Sequence, residues 1–125
     1  MNFANYLDMS AAESPDDLAV TGPQRDLTYR ELAGETDAFA NALADLGVAP
    51  GDRVALYLPN STAFVAAYFG AMKQGAIPFP INMRFEGSEV EYVLDDAGAS
   101  ALVTVGQFED AAASWVANGS SSLTV

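Results

Sequence analysis

The sequence predicts an α/β fold, a mostly parallel sheet flanked by helices with a small antiparallel hairpin near the N-terminus. Three observations carry this expectation. Gly51 to Asn82 reads as strand, turn, helix and strand, the βαβ unit that only a parallel sheet accommodates. Apolar strand starts near Arg53, Ile77 and Ala101 lie 24 residues apart, the rhythm of repeated βα units. The side chains do not recur in register, so this is no tandem repeat. Finally, two short strand-like runs flank the turn Gly22-Pro23-Gln24-Arg25-Asp26.

In chain order, Phe3 to Ala12 forms a short helix with Phe3, Tyr6, Leu7 and Ser10 on one side, ended by the turn Ser14 to Asp17. Leu18 to Thr21 and Leu27 to Tyr29 make the hairpin. Thr28-Tyr29-Arg30-Glu31 has the form of a capping box, in which the threonine hydroxyl and the glutamate carboxylate each accept an amide of the other residue. The helix behind it carries Leu32, Thr36, Phe39, Ala40, Leu43 and Leu46 as an apolar stripe up to Gly47, with Glu35, Asp37 and Asp45 facing solvent. Val54 to Leu58 is a continuous apolar run closed by Pro59, as expected of a strand covered on both faces. Asn60-Ser61 caps the next helix, where Phe64, Val65, Tyr68, Phe69 and Met72 repeat at helical spacing before Gly75.

Pro78 and Pro80 cannot donate to a ladder, so the strand after Ile77 is short, sits at a sheet edge, or leaves the sheet early. Ser88-Glu89-Val90-Glu91 reads as a second capping box opening a helix through Val90, Val93, Leu94 and Ala97 to Gly98. Ala101 to Val105 is the next strand. Phe108, Ala112, Trp115 and Val116 form one more helical face, and Leu123-Thr124-Val125 resembles a strand entering a sheet. Such an ending points to truncation.

The 125 residues bury a single core of ordinary domain size. Seventeen acids against Arg25, Arg30, Arg53, Lys73 and Arg84 give a net charge of −12, which repels nucleic acid and anionic lipid. The same excess suits a protein kept soluble at high salt, hence a halophilic source. With neither cysteine nor histidine, thiol chemistry, disulfides and the commonest general base are excluded. Asp8 and Glu13 precede any basic residue, unlike a secretion signal. The longest apolar run, Ala63 to Met72, is about half a membrane span. A cytoplasmic protein without a membrane span is expected.

Neither G-x-x-x-x-G-K-S/T nor G-x-G-x-x-G occurs. The acid pairs Asp16-Asp17 and Asp95-Asp96 read as solvated surface rather than metal ligands or an acid/base couple. Tyr57, Phe64, Tyr68 and Phe69 read as packing rather than the wall of an acyl pocket. Lys73 meets the negative end of a helix dipole. Arg84 follows Pro80-Ile81-Asn82-Met83 at a strand's carboxyl end, where open α/β sheets place ligands, although pairing with Glu86 is the simpler role. Asn60-Ser61-Thr62 and Asn118-Gly119-Ser120 fit the glycosylation pattern, but read as a cap and a turn.

LTYREL at 27–32, GDRVAL at 51–56 and AMKQGAIPFPIN at 71–82 occur in an order and spacing that resemble the N-terminal region of the adenylate-forming acyl-CoA synthetases. The resemblance covers Phe3 to Val105 and makes residues 1–125 the N-terminal part of an adenylate-forming domain. It implies an AMP-forming acyl-CoA ligase that uses ATP, Mg2+ and CoA to activate a small-molecule carboxylate. The family's phosphate loop, its adenine- and ribose-binding segments and its catalytic lysine lie beyond the matched region. By resemblance, then, this chain holds no catalytic or metal-binding residue, binds none of the cofactors strongly, and takes the remainder of the synthetase as its partner. The loop corresponding to Arg84 in related synthetases approaches CoA during thioester formation, which makes Arg84 the candidate cofactor contact. Two other readings stay open: a non-catalytic module packing against a separately encoded partner, and a flavodoxin-like binding domain.

Overall fold

The computed structural model describes residues 2–117 and 119–125. The expected α/β architecture is present. Strands β3 (Arg53–Tyr57), β4 (Ile77–Pro80), β5 (Ala99–Thr104) and β6 (Ser121–Thr124) form one parallel sheet in the order β4-β3-β5-β6. A separate antiparallel hairpin pairs β1 (Leu18–Thr21) with β2 (Asp26–Thr28). Arg53 lies opposite both Ile77 and Ala99, and the ladder to β5 then slips by one residue, so that Val54 faces Ala101. The prolines of β4 sit on an edge strand, as their missing donors require.

Alternation along the central strands divides the core into two layers. Val54 and Leu56 of β3, with Leu58 beyond it and Ala101 and Val103 of β5, meet α2 (Tyr29–Asp45) and α3 (Thr62–Lys73). Ala55, Tyr57 and Leu102 point the other way, toward Val90 and Leu94 of α4 (Gly87–Ala97) and Trp115 of α5 (Ala113–Ala117). A strand buried on both faces explains the unbroken apolar run of β3. A third cluster of Leu7, Leu27, Leu32 and Ala66 joins α1 (Ala4–Glu13) and the hairpin to the outer side of α2 and α3.

The capping box of α2 forms as expected: Glu31 N donates to Thr28 Oγ1 at 3.3 Å, and Thr28 N to Glu31 Oε1 at 3.0 Å. Ser61 caps α3 by accepting from Phe64 N at 3.2 Å. Gly47, Gly75 and Gly98 all take positive φ at or just past helix ends.

Several details depart from the sequence-based expectation. Helix α4 starts two residues early, with Glu86 in the capping position donating its amide to Glu89 Oε1 at 3.3 Å, while Ser88 lies in the first turn. The backbone of Gly87 packs close to the Ala111 carbonyl, where a Cβ would sit 3.3 Å from its oxygen. Phe108 belongs to a 3-10 segment, Gly106–Ala112, that precedes the short α5. Phe3 and Tyr6 are 70% and 52% exposed, because only Ala4 and Leu7 of α1 reach the body of the protein. The buried face of α3 is Thr62, Ala66, Ala67, Gly70 and Ala71 rather than the aromatic stripe. Glu35, expected in solvent, is half-buried and pairs with Arg25 at 2.5 Å. The turn read at Asn118-Gly119-Ser120 begins on Asn118, which lies outside the described residues.

Candidate functional site

Ligand chemistry in an open parallel sheet is concentrated at the carboxyl ends of its strands, because the loops there converge above the sheet. In this chain that edge is formed by the segments after Tyr57, Pro80 and Thr104. Pro59, Asn60 and Ser61 lead from β3 into α3, and together with the hairpin turn Gly22 to Arg25, Val105 and Gln107 they line an open groove of about 490 Å3. The hairpin reaches this groove through a close contact: a Cβ on Gly22 would lie 2.9 Å from Thr62 Cγ2. Sequence reasoning missed the groove, since nothing in the hairpin's own pattern says which loop it will lean on.

The loop after β4 contains Arg84. Ile81 N donates to Leu56 O at 2.9 Å, which holds the start of the loop to β3. Asn82 closes it, accepting from Arg84 N through its side chain at 2.9 Å and from Phe85 N through its carbonyl at 3.0 Å. The Arg84 side chain is exposed, and among the described residues it makes no ion pair. The expected pairing with Glu86 is therefore not formed. The other four cations are engaged: Arg25 with Glu35, Arg30 with Asp16 at 3.0 Å, Lys73 with Asp8 and Asp37, and Arg53 with the Ala97 carbonyl at 2.6 Å.

Beneath this edge lies Tyr57, 2% exposed and stacked on Phe108 with ring centroids 4.8 Å apart. Burial, and secondarily the Glu89 carboxylate, push its phenol above the usual tyrosine range, so it remains a protonated donor through neutral and mildly alkaline pH. Tyr57, Phe64, Tyr68 and Phe69 do not converge on one pocket. Tyr57 packs on the α4 side of the sheet, Phe64 against the α2 and α3 layer, Phe69 in the outer cluster, and Tyr68 is 37% exposed. Asp16, Asp17, Asp95 and Asp96 are exposed, and no group of three or more acidic, histidine or cysteine side chains among the described residues is placed to hold a metal ion.

The fold and its edge define an open parallel α/β domain of the kind that presents ligand loops at the carboxyl ends of its strands. The chain belongs to the AMP-binding enzyme family, whose family pattern matches residues 7–124. It is 38% identical over 104 residues to the long-chain-fatty-acid–CoA ligase FadD13 of Mycobacterium tuberculosis, covering 82% of this chain and 21% of that protein. It is 42% identical over 87 residues to the crotonobetaine/carnitine–CoA ligase of Salmonella typhimurium, covering 70% of this chain and 17% of the relative. The solved N-terminal domain of FACL13 from Mycobacterium tuberculosis superposes on the whole chain with a TM-score of 0.89 and 29% identity, using 34% of that domain. The chain thus spans about a fifth of the length of the curated relatives it matches.

Proposed function

We propose that this chain is the N-terminal portion of an AMP-forming acyl-CoA ligase and supplies scaffold and one coenzyme contact rather than the reacting groups. The carrying observation is the family match over residues 7–124, together with a structural likeness to a benzoate CoA ligase from Burkholderia xenovorans that spans the whole chain. In the complete reaction a carboxylate attacks the α-phosphate of MgATP to give acyl-adenylate and pyrophosphate, and the CoA thiol then displaces AMP. The sequence holds neither G-x-x-x-x-G-K-S/T nor G-x-G-x-x-G, and the resemblance puts the phosphate loop and the Mg2+ that accompanies ATP outside the matched region. Both are therefore assigned to the remainder of the synthetase.

Arg84 is the residue of this chain that fits a phosphate of CoA. Its guanidinium is exposed at the carboxyl edge, free of carboxylate partners among the described residues, and chemically matched to phosphate oxygens. The large acidic excess agrees with a cytoplasmic protein from a salt-rich environment, and no helix of the described residues is long and apolar enough to cross a membrane.

The test is pyrophosphate release across short-chain, long-chain and aromatic carboxylates. The 125-residue chain alone is expected to release none. The product of its reading frame, with whatever follows Val125, is expected to release pyrophosphate and form a thioester with CoA. Release by the 125-residue chain alone overturns the division of labour. A complete product inert on all three acid classes overturns the ligase reading.

A further inference from the structure

We propose that Tyr57 is the positioning residue of the Arg84 loop: its phenol holds the far end of that loop on the sheet, so that the arginine is presented from a fixed backbone. The inference rests on the reading of Arg84 as a CoA contact. Its geometry is independent of that reading.

Two consecutive residues of β3 grip the loop at its two ends. Leu56 O accepts the Ile81 amide at 2.9 Å where the loop leaves β4, and Tyr57 Oη donates to Phe85 O at 2.8 Å where it turns into α4. Between these anchors Asn82 braces the turn with its two bonds to Arg84 N and Phe85 N. The anchor is itself held on two sides. The Tyr57 ring is buried against Phe108, and its own carbonyl accepts from Thr104 Oγ1 at 2.9 Å, which ties β3 to β5 at this level.

Packing alone does not call for a tyrosine here. The ring stacks on Phe108 in a cluster that also holds Trp115 and Phe85, a place that phenylalanine would fill equally well, and a phenol at this depth brings a polar group that must find a partner. The partner it finds is a main-chain carbonyl of the loop, one residue from Arg84. A loop held at both ends loses less freedom when it captures a ligand, which improves affinity without adding a contact.

The experiment compares wild type, Y57F and R84Q by amide hydrogen exchange and by NMR titration with CoA at millimolar concentration. In Y57F the Arg84 and Phe85 amides should exchange roughly fivefold faster, as expected for one lost hydrogen bond, while Leu56 and Leu102 of the core keep their protection. The dissociation constant for CoA should rise by a similar factor, and R84Q should abolish the CoA-induced shifts. Unchanged loop exchange in Y57F, or faster exchange with CoA affinity untouched while R84Q remains disruptive, overturns the positioning role. Equal shifts in wild type and R84Q, or none in either, sink the CoA reading instead, and faster loop exchange in Y57F would then still establish the clamp. Should Y57F not fold, the wild-type spectrum decides. A slowly exchanging Tyr57 hydroxyl proton with a cross-peak to Phe85 supports the clamp, and a freely exchanging one overturns it.

Discussion

Gly70 shows how a single residue sets the distance between two helices. A Cβ built on it would lie 2.7 Å from Phe39 Cβ, 3.1 Å from Ala40 N and 3.1 Å from Thr36 O, two of them backbone atoms that cannot swing aside. Glycine therefore lets α3 approach the backbone of α2, with Ala66 packed beside Leu32 of α2, while Ala67 and Ala71 join the cluster on the sheet. At the same contact Thr36 Oγ1 is buried with no hydrogen-bond partner among the described residues. Replacing Gly70 by alanine gains helix propensity but must part the two helices. Urea denaturation should show Gly70→Ala less stable by about 2 kcal/mol, in the range of core overpacking. An unchanged midpoint would mean that the contact is looser than the geometry indicates.

At the scale of elements, α1 is the least committed part of the chain. It buries Ala4 and Leu7 and leaves Phe3, Tyr6 and Met9 exposed. Lys73, at the end of α3, compensates by pairing with Asp8 of α1 and Asp37 of α2, so one cation links three helices. The Asp37 hydrogen bond, outweighing partial burial, holds the Lys73 ammonium above the usual lysine range. A raised folded-state value means the pairing contributes fully at neutral pH, below the unfolded lysine value, and is lost as pH rises through the higher folded one. At neutral pH, Lys73→Ala should cost about 1 kcal/mol or less, since the cluster is partly solvated. Its clearer mark should be faster hydrogen exchange at Leu7 with β3 unaffected. Exchange in α1 that does not change would show that apolar contacts alone hold the helix.

The whole molecule carries twelve excess negative charges on 125 residues, and among the described residues three of its five cations are in carboxylate pairs. Screening by salt weakens those few attractions, but relieves a larger number of repulsions. Raising NaCl from about 0.02 M to about 0.5 M shortens the screening length to a few ångströms and should raise the melting temperature by about 5 °C, on the order of 1 kcal/mol for a domain of this size. A melting temperature that falls with salt would show that the ion pairs, not the net charge, dominate.

Local chemistry made much of this fold legible. The Thr28 capping box, the glycine stops at Gly47, Gly75 and Gly98 and the hairpin turn depend on backbone rules within a few residues, and each stands where the sequence puts it; for the strand of Pro78 and Pro80 the structure selects the edge from the three placements the prolines allow. Arg84 was legible as a loop cation at a strand's carboxyl end for the same reason, since the βα rhythm puts a loop after each strand; the strand order β4-β3-β5-β6 came only from the structure. Choices among surfaces were not legible. The pattern of α3 favours its large aromatics, because side-chain size dominates any reading of an apolar stripe, yet the helix buries its alanines and Gly70. Which face wins depends on how closely α2 approaches, and that is fixed only when both helices pack on one sheet. The Tyr57 hydroxyl belongs with these, since its partner at Phe85 is 28 residues away. The sequence by itself determined most of the elements, the glycine stops and the family; tertiary structure alone decided which faces meet and which loop the buried phenol holds, because those are contacts between segments that no local rule connects.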